Sequence, residues 1–328
     1  MPTFYRLDPS DFIVSADAIS APIWSSNTPS LIFNATNVAT QSVQALGTSG
    51  QFYLTVYQTG SGFVDAIPQF DIAYADANGS GSLAYNLAVT QSSPTTTIYG
   101  QYQDLILGDE NAQFVFGTTT SSQFFALSFE RARYKEALLP GSLTLVLKSG
   151  ANTISLTDNS PVATVPQYIG TNRVFNIVSG SAGNPTGSAV YGWLLPDIGT
   201  ILINNSVNIG PITKIAVSAP ITTTTPSPNV AFFNLIQTAS LNSSETITSD
   251  YIFVRARSSE FNYSENPSFI SGSTGEVLYS SFINNPQTYV TTIGLYNDTN
   301  ELLAVAKLSR PLPKDFTSEA LIRVKLDF

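Results

Sequence analysis

The sequence SLTLVLKSGANTISLT, at residues 142–157, decides the fold class of this chain. On each side of residues 149–151 the apolar and polar side chains alternate, which is the pattern of a strand that buries one face. Gly150 lies in the break between the two runs, and residues 158–161 (DNSP) are turn formers that end the second run. We therefore predict a β-hairpin with strands at residues 142–148 and 152–157.

Short runs of the same kind recur along most of the chain and are separated by polar turn residues. A tight turn at residues 297–300 (NDTN) joins two of them, residues 288–296 and 302–308, into a second hairpin. The period is ambiguous near residues 230–238, where a short helix fits, and at residues 321–326. The other predicted strands lie at residues 31–38, 51–58, 69–74, 83–90, 98–102, 113–116, 124–130, 189–195, 200–204, 251–256 and 277–282. Together these runs predict a mainly β chain, with antiparallel β-sandwich or barrel-like domains and few short helices.

The length of 328 residues allows several domains, and changes in composition indicate where they begin. Residues 1–30 are rich in Pro and Ser and have no sustained period, which predicts an extended N-terminal arm. The only low-complexity stretch, TTTTPSP at residues 222–228, marks the best internal boundary. We therefore expect an N-terminal β domain at residues 31–120, a middle β-rich domain at residues 121–220, and a C-terminal β-rich domain at residues 229–328 that packs with the middle region.

The composition excludes much catalytic chemistry, because the chain contains no His and no Cys. It therefore has no imidazole base, no thiol nucleophile, and no zinc or iron–sulfur site of the kind that needs those ligands. Charged residues make up 11% of the chain, whereas Ser and Thr together account for 75 of the 328 residues. Since interface cores are poor in charge and rich in aromatic side chains, we expect a component of a permanent assembly.

Nucleic acid and membrane partners are not expected for this chain. The formal net charge is −9 and the Lys and Arg residues are scattered, whereas phosphate binding needs clustered positive charge. The longest apolar stretches are far shorter than the roughly 18–20 residues of a membrane span. The N-terminal sequence MPTFYRLDPSDF lacks the pattern of a signal peptide. Residues 301–328 hold 9 of the 37 charged residues, so we expect the most exposed surface or an electrostatic contact there.

Two acidic stretches resemble functional motifs but fit turn chemistry better. Residues 76–81 (DANGSG) begin like a calcium-binding loop, yet they lack the acidic ligands that such a loop needs further along. Asp109 and Glu110 are adjacent, so on a strand they point to opposite faces, and no partner carboxylate is marked. No glycine pattern of a nucleotide-binding loop is present either. We predict no enzyme activity, no metal site and no cofactor.

The predicted interface residues fall into basic and aromatic sets. Arg131, Arg133 and Lys135 alternate, so on a strand they lie on one face, and Arg255 and Arg257 have the same spacing. Each basic set has two interpretations: a docking edge for an acidic neighbour, or charges that protect an edge strand and pair locally. The aromatic set lies in the N-terminal arm, which we expect to extend onto a neighbouring subunit. It comprises Phe4, Tyr5, Phe12 and Trp24.

Five segments carry a resemblance to a known group of proteins. They are FERARYKEALLPGSLTLVL (residues 129–147), YGWLLPDIGTILIN (191–204), FNYSENPSF (261–269), TYVTTIGLYNDTNELLAVAKLSRPLPKDF (288–316) and IRVKLDF (322–328). Together they resemble virion structural proteins of contractile-tailed, myovirus-like bacteriophages, including those of cyanobacteria. The resemblance covers roughly residues 125–328, and no catalytic residues carry over, because the group is structural. Within the fourth segment, Pro311 and Pro313 are expected to end the pairing of the second hairpin.

The resemblance implies a structural subunit of the virion, most directly a wedge component of the tail baseplate that gives a rigid scaffold. It implies assembly in the host cytoplasm with other tail and baseplate proteins, as homo- and hetero-oligomers in a symmetric particle. Another virion position stays open, such as a neck, sheath-terminating or capsid-decorating protein. A receptor- or carbohydrate-binding tail protein also stays open, since Trp24, Trp193 and Tyr191 are side chains of the kind that stack on sugars. A cell-wall hydrolase has the least support, because no carboxylate pair stands out.

Overall fold

The computed structural model describes residues 4–40, 53–58, 66–79, 95–163, 165, 167–217, 228–264 and 266–327. Strands hold 50% of the described residues and helices hold 11%, and the sheets are antiparallel. The prediction of a mainly β chain with few short helices is therefore confirmed. The predicted strand at residues 83–90 and most of the low-complexity stretch at residues 222–228 lie outside the described residues.

The elements follow one another along the chain as short strands with few helices. A 3-10 turn (Pro9–Asp11) precedes β1 (Phe12–Pro22), β2 (Leu31–Ile32), β3 (Val38–Thr40), β4 (Tyr53–Gln58) and β5 (Ile67–Asp76). Helix α1 (Thr95–Tyr102) and a π-helical turn (Gln103–Leu107) come before β6 (Phe114–Phe116), β7 (Thr119–Ser121) and β8 (Gln123–Phe129). A 3-10 turn (Arg131–Arg133) leads to β9 (Ala137–Leu138), β10 (Thr144–Ser149), β11 (Asn152–Asp158), β12 (Gln167–Ile169), β13 (Asn172–Ser181), β14 (Asn184–Pro185), β15 (Gly192–Leu195) and β16 (Thr200–Asn204). The remaining elements are α2 (Pro228–Phe233), β17 (Ile236–Ser240), β18 (Asn242–Ala256), α3 (Ser280–Asn284), β19 (Thr288–Tyr296), β20 (Leu302–Lys314) and β21 (Ala320–Asp327).

The chain divides into two compact units. The central unit comprises Ala18–Glu245, and the terminal unit combines Met1–Asp17 with Thr246–Phe328. Strands β1 and β18 contain the two points at which the chain passes from one unit to the other. These boundaries differ from the predicted ones, because strands from residues 31–120 and from residues 121–220 are hydrogen-bonded into one sheet.

A 13-stranded sheet forms most of the central unit. Its main path has the order β2-β17-β10-β11-β13-β15-β16-β8-β5-β4-β3, while β12 and β14 pair with β13. The two ends of this path, β2 and β3, are separated in sequence only by residues 33–37. Because a connection of that length reaches about 20 Å at most, the two ends must lie near each other. The sheet is accordingly nearly closed and barrel-like.

The turn that joins the two ends of this sheet is built on Asn34. The side-chain carbonyl oxygen of Asn34 accepts hydrogen bonds from the backbone N–H groups of Thr36 (3.1 Å) and Asn37 (2.9 Å). Its backbone carbonyl oxygen accepts another from the N–H of Val38 (3.0 Å). Asn stabilises tight turns through such bonds. The single strand predicted at residues 31–38 is therefore wrong, since this turn separates β2 from β3.

The hairpin predicted from residues 142–157 is confirmed. Strands β10 and β11 pair from Leu145 with Leu156 to Ser149 with Asn152. Gly150 lies in the turn with φ of 60°, a left-handed conformation that glycine adopts without steric cost. Leu145, Leu147 and Leu156 are buried, as alternation requires of the core-facing side chains.

Strand β8 lies in the middle of the sheet and buries both of its faces. It pairs with β5 on one edge and with β16 on the other. Phe125 faces one core and stacks on Phe232, with ring centroids 4.5 Å apart. The adjacent Phe124 faces a second core and contacts Phe114 at 4.7 Å. Successive strand residues point to opposite faces, so the apolar sequence FFALSF of β8 serves two cores.

Two segments predicted as strands are helical instead. Residues 98–102 lie in α1, although Thr, Ile and Tyr favour strands. A helix brings positions three apart onto one face, and here Tyr99 and Tyr102 both contact Phe124, at 5.5 and 5.9 Å between ring centroids. Residues 277–282 contain the start of α3, and Val277 makes only an isolated bridge with Ile270. Local propensity is overridden where packing favours the other structure.

Gly192 offers a direct test of the central sheet. A Cβ atom at this position of β15 would overlap the carbonyl oxygen of Leu202 and lie 3.1 Å from the Cα of Ile203. We therefore expect Gly192→Ala to lower the free energy of unfolding by about 2–4 kcal/mol. The control is Gly100→Ala in α1, where a Cβ meets nothing within 4 Å, and it should leave stability unchanged or slightly raised. Chemical denaturation of both variants measures this, and equal stabilities would contradict the close approach of β15 and β16.

Candidate functional site

The terminal unit has a small core between a sheet and a hairpin. Strands β18 and β21 pair from Ser249 with Asp327 to Ala256 with Ala320. The cross-strand pair Ile252 and Val324 packs on Ile293 and Leu295 of the β19–β20 hairpin. These four side chains are the buried members of this cluster, and smaller or partly buried neighbours such as Leu7 surround them. The arrangement places one face of the hairpin inward and leaves the other outside.

The β19–β20 hairpin continues beyond its two prolines. Its turn at residues 297–300 matches the prediction, with Asn300 at φ of 61°. Pairing resumes after an irregularity, with Tyr289 opposite Pro313 and Thr288 opposite Lys314. The expectation that Pro311 and Pro313 end the pairing is therefore wrong. This sheet has two strands, so each strand has an unpaired edge on which a residue without an N–H is tolerated.

Lys314 anchors the loop at residues 257–263 to the end of β20. Its side chain is fully buried. The ammonium group donates to the backbone oxygens of Ser258 (3.0 Å) and Asp315 (2.9 Å) and to Oδ1 of Asn262 (2.9 Å). These bonds use all three ammonium protons. The loop is therefore held by a buried cation whose three observed acceptors are neutral oxygens.

Further bonds hold the same loop in a strained conformation. The N–H of Arg257 donates to Oε2 of Glu260 (2.9 Å), and the N–H of Glu260 donates to the carbonyl oxygen of Arg257 (3.0 Å). The hydroxyl of Thr288 donates to the carbonyl oxygen of Phe261 (2.7 Å). Phe261 has φ of 55°, which is costly for a residue with a bulky side chain. Such strain persists where the surroundings fix the backbone, and it is common at binding sites.

This loop forms one wall of a pocket of about 550 Å³ in the terminal unit. Six of the ten lining residues are aromatic, one is acidic and none is basic. The lining residues are Phe4, Tyr5, Ser259, Glu260, Phe261, Asn262, Tyr263, Phe282, Pro286 and Phe316. The volume and the aromatic lining are typical of a site for a small ligand. Sequence reasoning missed this pocket, because its walls come from four separate stretches of the chain.

The aromatic residues predicted for the N-terminal arm have different environments. Phe4 and Tyr5 line the pocket, and the ring of Phe4 meets that of Tyr296 edge-on with centroids 5.0 Å apart. Phe12 is exposed at the start of β1. Trp24 is only 3% exposed and packs among the aromatic rings of the central core. Trp24 is therefore a core residue, and its predicted place in an interface arm is not supported by the geometry.

The other two aromatic residues that favoured a sugar-binding surface are also unsuited to it. Trp193 is buried in the second core, where its ring contacts Phe116 at 4.8 Å. Tyr191 is partly buried and packs against the main core. Trp193 therefore presents no open face on which a sugar could stack, and Tyr191 is only partly exposed. The pocket in the terminal unit uses different aromatic residues.

The first basic set does not form a strip on one strand face. Strand β8 ends at Phe129, and the chain then makes the 3-10 turn Arg131–Arg133. Arg131 donates to the carbonyl oxygen of Tyr134 (2.7 Å) and lies 4.7 Å from the centre of its ring. Lys135 is exposed beyond Tyr134, which is buried in the core. The alternation expected for a strand is absent because Arg131 and Arg133 lie in this 3-10 turn.

The second basic set is divided between a sheet face and the pocket loop. Arg255 is exposed on β18, on the face that also carries Arg323 and Lys325 of β21. Lys325 pairs with Asp327 at 2.8 Å, which raises the pKa of the lysine and lowers the pKa of the aspartate. The guanidinium of Arg323 lies 5.4 Å from the centre of the Tyr251 ring. Arg257 instead begins the pocket loop, so the two arginines do not act as one strip.

The acidic stretches behave as turns. Asp76 accepts from the N–H of Asn78 (2.9 Å) and from the amide of Gln123 (2.9 Å). Asp109 accepts from the N–H of Asn111 (2.8 Å). Within the described residues, no group of three or more acidic side chains is placed to hold a metal ion. The local geometry therefore favours the turn interpretation over a calcium loop or a carboxylate pair.

One buried carboxylate in the central unit stands apart from these turns. Asp71 lies on β5 opposite Ser128, whose hydroxyl is 2.6 Å from that of Tyr102. The Oδ1 atom of Asp71 is buried, with no hydrogen-bond partner within the described part of the structure. Burial raises the pKa of Asp71, and a bond from the Thr55 hydroxyl partly opposes this. A partly buried carboxylate with one oxygen that lacks a partner lowers stability at neutral pH, where it is ionised.

Comparisons with protein-family models, with curated proteins and with solved structures find no match to this chain. Among the described residues, none of the helices has the length and apolar character that a membrane-spanning helix requires. The longest α-helix in those ranges, α1, has eight residues.

Lys314→Met should show how much the pocket loop depends on its anchor. The change leaves Asn262 Oδ1 and two backbone oxygens without their shared donor, so we expect a loss of about 2–4 kcal/mol in the free energy of unfolding. Lys307→Met on the same strand is the control, because Lys307 is exposed, and it should change stability by less than about 0.5 kcal/mol. Urea denaturation compares the two. Equal effects would show that the buried ammonium does not hold the loop.

Asp71→Asn should change the pH dependence of stability. The folded-state pKa of Asp71 is raised, so the fold is more stable when this carboxyl is protonated. That contribution to stability is complete below the unfolded-state pKa and is lost as the pH rises through the folded-state pKa. We therefore expect the variant to gain about 0.3–1 kcal/mol over the wild type at pH 7, a modest gain because part of the group is screened by solvent. The gain should vanish near pH 3. Asp104→Asn, at an exposed position, is the control, and a pH-independent difference for Asp71→Asn would contradict the assignment.

Proposed function

We propose that this protein is a structural subunit of a contractile-tailed bacteriophage virion, a baseplate (wedge) component that serves as a rigid scaffold. The supporting observation is the uneven distribution of exposed apolar side chains. Of the 25 exposed large hydrophobic side chains in the described ranges, sixteen belong to the terminal unit. That unit contains 95 of the 277 described residues.

The terminal unit has too small a core to account for its apolar residues. Its buried cluster has four members, whereas Leu303, Val305 and Tyr296 of the β19–β20 hairpin lie outside. The β1 side chains Ile13 and Val14 are also exposed. Apolar surface at this density marks an interaction site in soluble proteins. The proposal assigns that surface to contacts with other tail and baseplate subunits.

The central unit supplies the rigidity that a scaffold requires. Its sheet is nearly closed, so few strand edges stay open to unwanted pairing. Both faces of β8 are filled by large aromatic side chains.

The resemblance of residues 125–328 to virion structural proteins supports a particle component and favours the baseplate within it. Neck, sheath-terminating and capsid-decorating positions are alternatives of the same kind. A density map of the whole particle separates them, because each position has its own rotational symmetry and copy number. A wedge component should lie in the baseplate, and density for the chain at the neck or capsid would overturn that location.

A charge on the exposed hairpin face should block assembly. Val305 is 58% exposed in the terminal unit, so Val305→Asp should leave the fold intact. If neighbouring subunits bury this face, the uncompensated carboxylate should lower incorporation into virions by at least about 10-fold. The matched control is Val162→Asp, at a position 62% exposed in the central unit. Incorporation is measured by mass spectrometry of purified particles, after circular dichroism has shown that both variants fold.

Two results would contradict the proposal. The first is equal incorporation of the Val305→Asp and Val162→Asp variants, which would remove the assembly role of the hairpin face. The second is the absence of the wild-type chain from purified particles. That result would overturn the structural role itself.

A further inference from the structure

We propose that the pocket of the terminal unit binds a small organic cation, one that carries an alkylated ammonium group of the choline type. This goes beyond the scaffold role, because a scaffold contact does not require a ligand-sized pocket. The inference rests on the lining of the pocket, on the bonds that hold its wall, and on the chemistry that those groups exclude.

The lining favours positive charge. The faces of aromatic rings attract cations, and several rings around one space recognise quaternary ammonium groups. Phe4, Phe261 and Phe316 are among the six aromatic residues at the pocket. Within the described part of the lining, the one charged residue is Glu260, whose carboxylate adds attraction for a cation. Its Oε2 atom is fixed by the N–H of Arg257 (2.9 Å), which keeps the carboxylate at the pocket wall.

The same lining disfavours anions. Among the residues that the structure describes, no Lys or Arg lines the pocket. Lys314 lies next to the pocket loop, but its three bonds to Ser258, Asn262 and Asp315 use all of its protons. Its side chain is also fully buried. A phosphate, sulfate or carboxylate in the pocket would therefore face the carboxylate of Glu260 and would find no free N–H of Lys314 to bind.

A polyhydroxylated ligand also fits poorly. The amide of Asn262 is partly used, since Oδ1 accepts from Lys314 and one N–H of Nδ2 donates to the carbonyl oxygen of Ser258. Sugar hydroxyls packed against the phenyl rings of Phe4, Phe261 and Phe316 would lose hydrogen bonds to water without replacement, which is costly. A trimethylammonium group has no N–H and makes no such demand. Its charge is met by Glu260 and by the rings.

Bonds within the protein fix the pocket wall. Thr288 and Lys314 hold the backbone around Phe261, which adopts its strained φ of 55°. Phe4 is positioned by its edge-on contact with Tyr296. A site held in this way loses little conformational entropy on binding, so more of the interaction energy appears as affinity. The volume of about 550 Å³ accommodates a cation of this size with its substituents.

The test compares choline with its neutral isostere, 3,3-dimethylbutan-1-ol, on the purified full-length chain. Each ligand has nine equivalent methyl protons, so the broadening of one methyl resonance reports binding of either ligand in the same way. We expect choline to bind with a millimolar Kd and the isostere to bind at least about 10-fold more weakly, because only choline offers a charge to the rings. Equal binding of the two ligands would overturn the proposal. So would the absence of choline binding at a choline concentration of about 20 mM, which is 20 times a Kd of about 1 mM.

Variants locate the bound cation. Glu260→Gln keeps an acceptor for the N–H of Arg257 but removes the charge, and we expect choline to bind about 3- to 10-fold more weakly. Phe316→Ala removes a ring that is 57% exposed at the pocket and should weaken binding about 3- to 30-fold. Tyr289→Ala removes an equally exposed ring outside the pocket lining and should have no effect. If Tyr289→Ala weakens binding as much as Phe316→Ala, the cation does not occupy this pocket.

Discussion

The pairing of β8 with β5 on one edge and β16 on the other is the constraint on which the central unit depends. It joins strands from the first 76 residues to strands beyond residue 190 in one sheet. Phe124 and Phe125 of β8 then face separate cores. A register shift of one residue would move both rings to the wrong face, because side chains alternate along a strand. The near-closure of the sheet and the burial of Trp24 follow from this arrangement.

The terminal unit is stabilised differently, by one buried ammonium group as well as by apolar packing. Lys314 holds the loop that carries Glu260 and Phe261. A buried charge is costly unless every donor is used, and all three protons of this one are. The same interaction that completes the end of the hairpin therefore also shapes the pocket. The small core of the terminal unit leaves many apolar side chains exposed, and these exposed side chains are the basis of the proposed assembly role.

The two proposals use different parts of the terminal unit. The outer face of the β19–β20 hairpin, with Leu303 and Val305, suits contact with another protein. The pocket, with Glu260 and its surrounding rings, suits a small cation. A baseplate subunit with such a pocket would combine mechanical support with recognition of a small molecule. A third surface, on the β18–β21 face, carries the exposed basic side chains Arg255, Arg323 and Lys325.

The sequence by itself determined the fold class and the hairpins. At Gly150 and at residues 297–300, turn chemistry and alternation act within a few residues, so local reasoning identified both hairpins. The tertiary structure decided the rest, because it depends on pairs that are distant in sequence. Tyr99 and Tyr102 are helical since both rings meet Phe124, and Trp24 is buried since Phe70 and Phe129 surround it. The pocket likewise needs Phe4 beside Phe316, a proximity that no local pattern encodes, because long-range packing sets it.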